Sequence, residues 1–193
     1  MKQNYYVLSR KNIKSRWIDK SPYIEGVSWW SGKSIKEKNL NQLKFKLKPY
    51  KKFSADHAQY LPVILYTNPP LFRDDFVEAL FSFGVKNIET YEVSILDPDD
   101  NSIIKNYKAV NILEMISAAD MKLSLATIHD NVPLIDVDFD VLIIDEKKTK
   151  NSMLFRLAES VSTIMIHKKL RDYLIEKGFG DDLEFYDPRD VAT

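Results

Sequence analysis

Apolar and polar residues alternate strictly in two stretches of the chain, Leu43-Lys44-Phe45-Lys46-Leu47-Lys48 and Asp136-Val137-Asp138-Phe139-Asp140-Val141. Alternation with a period of two marks a strand with one buried face. Leu43, Phe45 and Leu47 are therefore expected inside, with the lysines in water as the protection of an edge strand. In the second stretch Val137, Phe139 and Val141 take the core side, which sets Asp136, Asp138 and Asp140 in a row on the other face. Further strands are expected at 5–8, 63–66, 88–96, 103–112, 153–157, 164–166 and 183–186, with 88–96 and 103–112 forming an antiparallel hairpin across the turn at 97–102. Helical spacing appears in Phe76, Val77, Leu80, Phe81 and Phe83, with Asp74, Asp75 and Glu78 in the first turns and Gly84 at the end. It recurs over 167–177, where Leu170, Tyr173, Leu174 and Ile175 are apolar and Gly178 follows. Residues 113–120 also read as helical, 121–131 fit either pattern, and 10–38 are polar, irregular and rich in tryptophan.

The two clear helical segments align at an offset of 94 residues without gaps. Phe76 falls on Leu170, Leu80 on Leu174, Phe81 on Ile175 and Gly84 on Gly178. Each has a strand on either side. The expected fold class is α+β, a mixed, largely antiparallel sheet with a few helices packed against it and a candidate duplicated strand–helix–strand unit. Two units are too few for a solenoid. The expected organisation is one domain over 1–193, with a basic, Trp-containing segment at 1–60 and an acidic α+β core at 61–193.

Charge sharpens that division. The 193 residues carry 28 basic and 28 acidic side chains. Residues 1–52 hold 14 Lys/Arg against Asp19, Glu25 and Glu37, whereas 53–193 hold 14 against 25 Asp/Glu. A chain this near neutrality resists self-association poorly, which leaves a homodimer open. A hydrophobic content of 45% excludes disorder by composition. There is no cysteine, so disulfides, thiolate metal sites and a cysteine nucleophile are excluded. With neither a secretory leader nor an apolar run of membrane-spanning length in the sequence, a cytoplasmic location without membrane attachment is the expectation.

The chemistry is sparse. Five dispersed glycines form no phosphate loop or dinucleotide fingerprint. His57, His129 and His167 make no ligand pair, and Asp56-His57 reads as surface. Asp97, Asp99 and Asn101 alternate as in a calcium loop, but Ser102 and Lys108 stand where glycine and glutamate are required, so the segment is a turn. The row Asp136, Asp138 and Asp140 holds more potential. It could bind a divalent cation, as in a metal-dependent hydrolase, imitate a line of phosphates for a basic protein partner, or be a solvated face paired with Lys44, Lys46 and Lys48. Trp17, Trp29 and Trp30 suit either core plugs or a groove lining, and Trp29 and Trp30 are the candidate partner-binding aromatics. The basic N-terminal segment would also suit a nucleic-acid-binding module, although arginine is absent from its alternating strand.

Several landmarks taken together resemble immunity protein family eleven of bacterial polymorphic toxin systems. They are Tyr5-Tyr6-Val7-Leu8-Ser9, the helix–glycine–strand block over 72–93, Tyr107-Lys108-Ala109-Val110-Asn111-Ile112 with Asp120, Phe155-Arg156-Leu157, Ile164-Met165-Ile166, Leu170-Arg171-Asp172 and Phe185. The chain departs from the family at His167-Lys168 and at Asp181-Asp182. The resemblance implies a non-enzymatic cytoplasmic protein without cofactor that neutralises a cognate toxin by covering it.

Overall fold

The computed structural model describes residues 4–11, 16–35, 40, 43–49, 60–128 and 137–190. In chain order the first half forms β1 (Tyr5–Arg10), β2 (Ile18–Lys20), β3 (Leu43–Leu47), β4 (Ile64–Leu65), β5 (Leu71–Arg73), α1 (Asp74–Phe83), β6 (Ile88–Leu96), β7 (Ile103–Ile104) and β8 (Tyr107–Ile112). The second half adds β9 (Met115–Ile116), β10 (Leu125–Ile128), β11 (Val137–Val141), β12 (Leu154–Leu157), β13 (Ile164–His167), α2 (Lys168–Glu176) and β14 (Leu183–Tyr186). Among the described residues, two α-helices and many strands in mixed, largely antiparallel sheets make this an α+β fold.

The chain divides into two compact units. Unit 1 comprises 1–9, 30–32 and 112–193, and unit 2 comprises 10–29 and 33–111. The boundary expected between residues 60 and 61 falls inside unit 2. Recounted on these limits, unit 2 holds 17 basic and 12 acidic side chains, and unit 1 holds 11 and 16. The charge asymmetry keeps its sign and is milder than the linear sequence suggests.

Unit 1 is built on a sheet of order β14-β1-β13-β12-β9, antiparallel at β1–β13–β12 and parallel at β12–β9. Because side chains alternate along a strand, Tyr5, Val7, Phe155, Leu157 and Met165 share one face, which packs against Val137 and Phe139 of β11. The opposite face meets α2, where the Arg171 guanidinium lies 4.0 Å from the Tyr6 ring centroid. Burial on both faces explains why Ile164-Met165-Ile166 of β13 reads as a continuous apolar run rather than as alternation.

Unit 2 holds the sheet β2-β3-β6-β8-β5-β4, with β7 paired to β6. The α1 helix buries Phe76, Val77, Ala79 and Leu80, and Phe72 and Phe76 lie 5.2 Å apart. Burying one such aromatic contributes roughly 1.5–3 kcal/mol. Arg16 accounts for the calcium-like turn. Its guanidinium pairs with Asp97 and, at 2.6 Å, with Asp99, and donates to the Lys48 carbonyl, so a side-chain cation sits between the alternating carboxylates.

Three expectations are corrected. Strand β3 is not an edge, because it pairs antiparallel with β2 and parallel with β6. It also shares no sheet with β11, which pairs with β10 in a two-stranded sheet of its own. Residues 113–120 are not helical. Met115 and Ile116 pair with Arg156 and Leu157, and tertiary pairing overrides local helix propensity.

The two helices can be matched at their apolar positions. In each, the residues matched at the offset of 94 have like burial: Phe76, Leu80, Leu170 and Leu174 are inside, while Phe81 and Ile175 are exposed. Each follows a hairpin strand, and each is followed by a strand two places away in its sheet, β6-β8-β5 and β14-β1-β13. The inserted strand differs in origin, since β8 follows β6 whereas β1 opens the chain.

Candidate functional site

The ribbon β10–β11 begins at a turn built by Asp120. Its carboxylate accepts from the backbone N–H groups of Lys122 and Leu123, at 3.1 and 3.3 Å, which is the Asx-type turn that short acidic side chains favour. The Ser124 hydroxyl then accepts from Ile143 N–H at 2.9 Å, and Asp120 N–H donates to the Ile143 carbonyl at 2.8 Å. These bonds fix where the ribbon leaves the rest of unit 1.

Pairing then decides which side chains face out. Ala126 stands opposite Phe139, and Thr127 opposite Asp138, with an irregularity at Leu125/Ala126. The small Ala126 leaves room for Phe139, which belongs to the core cluster that holds the ribbon down, with Ala126 packed against it. An isolated two-stranded ribbon is marginal in water, so this docking is what keeps it ordered. Asp138 and Asp140 lie exposed on β11. In the turn before β10, Leu123 is 69% exposed, and Leu125 and Ile128, opposite Val141 and Val137, are 59% exposed each. Clustered exposed aliphatic side chains are a mark of interaction surfaces, whereas single ones need no explanation. Carboxylates and aliphatic groups together offer a basic protein surface both attraction and apolar anchors.

The other residues singled out from sequence are dispersed. Asp136 lies outside the described residues, as do His57 and His129. Trp29 is 3% exposed and meets Tyr91 edge-on at 5.3 Å, so it is a core residue of unit 2 and offers no face to a partner. Trp30 is partly buried in unit 1, where the Arg156 guanidinium stacks over its ring at 4.4 Å. Arg156 is fully buried and donates to the Val161 carbonyl at 2.9 Å. A desolvated cation over an indole face is worth up to about 2 kcal/mol, which gives Trp30 a structural task. Trp17 is the exposed indole, at 61%, with the Lys48 ammonium 5.4 Å from its ring centroid. The ribbon's apolar residues escaped the sequence reading because 121–131 fit two patterns.

Two titrating groups serve the scaffold. His167 caps α2, its Nδ1 accepting from Lys169 N–H at 3.1 Å. Burial, joined by nearby Lys169, holds its pKa below the ordinary value, which keeps the ring neutral and able to accept. In unit 2, burial acts to raise the Glu89 carboxyl. Bonds from Ser34, Ile35 N–H, Tyr91 and Asn111 outweigh it and hold the group below the usual carboxylate value. Asn111 also donates to the Lys33 carbonyl at 2.8 Å, so this network fastens the 33–35 segment to β6 and β8.

Among the described residues no group of three or more His, Asp or Glu side chains could hold a metal ion. Among the same residues no helix is long and apolar enough to cross a membrane. No protein-family model matches the chain, and no curated protein matches it.

Proposed function

We propose that this protein binds a cognate bacterial toxin and neutralises it by occlusion, with the β10–β11 ribbon as the principal contact. The observation that carries this reading is the exposure of Leu123, Leu125 and Ile128 on the β10 side of a ribbon whose β11 strand exposes Asp138 and Asp140. The resemblance of the landmark segments to a toxin-immunity family supports the same reading. The carboxylates attract a basic toxin surface over distance and set the encounter rate. The aliphatic side chains then lose water against the toxin and slow dissociation, as central anchors do. Inhibition is stoichiometric, with no bond made or broken and no cofactor. Such a protein acts in the compartment the toxin reaches, here the bacterial cytoplasm.

The test is growth. If a toxin domain is encoded beside this chain's gene, cells producing it should survive when the chain is coexpressed at equal level. Survival should be lost when Leu125 and Ile128 become serine and Asp138 and Asp140 become lysine, with the variant still folded by circular dichroism. Full protection by that folded variant would rule out the ribbon. Failure of the unaltered chain to protect would rule out immunity against that toxin.

A further inference from the structure

Unit 2 carries a surface of the opposite character. On the outward side of β3, β6 and β7 lies an open groove of about 630 Å³, lined by Lys44, Glu92, Ser94, Leu96, Ile103 and Lys105 among others. Strand pairing builds it. Lys44 stands beside Ser94 across the β3–β6 ladder, and Ile103 beside Leu96 across β6–β7. Because Leu43, Phe45 and Leu47 point into the core, the lysines of the same strand point out. Glu92 is already paired with Lys108 at 2.6 Å. Among the described residues, neither Lys44 nor Lys105 has a carboxylate at ion-pair distance. The groove thus presents two uncompensated ammonium groups with aliphatic surface between them, on a unit with an excess of basic residues.

We propose that this groove docks a short acidic segment of a partner protein, its carboxylates on Lys44 and Lys105 and an apolar side chain against Leu96 and Ile103. Charge complementarity selects an anionic occupant, and the lining selects a peptide over a nucleic acid. Glu92 stands in the path that a continuous row of phosphates would follow. The groove offers neither arginine nor an exposed aromatic ring for a base to stack on. Leu96 and Ile103 match an aliphatic or aromatic side chain, which a sugar–phosphate backbone does not supply. The surface is separate from the ribbon, and the proposal stands or falls without it.

The experiment titrates the ¹⁵N-labelled full chain with the peptide acetyl-Glu-Leu-Glu-Phe-Glu-amide and follows amide shifts. Saturable shifts at Ser94, Leu96 and Ile103 are expected. The double variant Lys44→Gln, Lys105→Gln should weaken binding about tenfold or more, since each lysine supplies a charge-assisted contact. A control variant, Lys147→Gln, should leave the affinity unchanged. The spectrum of each variant reports whether it is folded, and Lys44→Ala, Lys105→Ala serves as the second pair. Three results would overturn the proposal: no saturable shift at millimolar peptide, equal affinity in the folded lysine variants, or displacement of the peptide by a single-stranded oligonucleotide through the same amides.

Discussion

Strands β3 and β11 share one pattern, three apolar positions alternating with charge, and end in opposite settings. In β3 the pattern LKFKL lies between two neighbours in a large sheet, with Leu43, Phe45 and Leu47 buried and lysines outward. In β11 the pattern VDFDV belongs to a two-stranded ribbon with Val137 and Phe139 buried and aspartates outward. Periodicity therefore dictates which side chains point in and leaves the number of neighbours open. That number matters for function. The β11 ribbon brings the aliphatic side chains of β10 to the surface, while β3 contributes Lys44 to a groove between strands.

Four measurements test this contrast, the largest effect first. Phe139→Ala and Phe45→Ala should each cost about 3–5 kcal/mol in urea unfolding, because each empties a buried aromatic site. A much smaller cost for Phe139 would mean that the ribbon is not docked. Next, Leu125→Ala with Ile128→Ala should weaken toxin binding by roughly 2–4 kcal/mol in calorimetry while leaving the unfolding midpoint close to that of the unaltered chain. Lys44→Ala with Lys46→Ala should not change that affinity.

Acid should act on the Glu89 network in unit 2. The folded-state pKa of Glu89 lies below its ordinary value of 4.5, so the unfolded chain takes up its proton first as pH falls. The stabilisation is complete above the unfolded value and is lost as pH drops through the folded one. Between about pH 5 and 3 the unaltered chain should lose more stability than Glu89→Gln. The smallest effect belongs to Lys44→Ser, which should stay within about 0.5 kcal/mol because the side chain is exposed.

The sequence disclosed the elements whose pattern is strong over several residues. The alternation of β3 and β11, the apolar run of β13 and the two glycine-terminated helices are local properties. Strands β2, β5, β9 and β10 are two to four residues long, and what makes them strands is the partner they find. The segment before Asp120 illustrates the limit, since its helix-forming residues are drawn into pairing with β12. Gly32 belongs to the same region. It holds φ at +66°, and a Cβ added there would lie 2.8 Å from the Met115 Cβ, a close approach that no local pattern announces. Of the candidate site, the outward aspartates were legible from spacing. The neighbouring Leu123, Leu125 and Ile128 were not, because an aliphatic side chain on a strand is normally read as core.

Hydrogen exchange of residues 121–128 in the free chain and in the presence of excess toxin tests the central claim most directly. Marked slowing of these amides on addition of toxin, with little change in α2, is the predicted result. Unchanged exchange along the ribbon in a complex known to have formed would contradict it, and would place the contact on another surface.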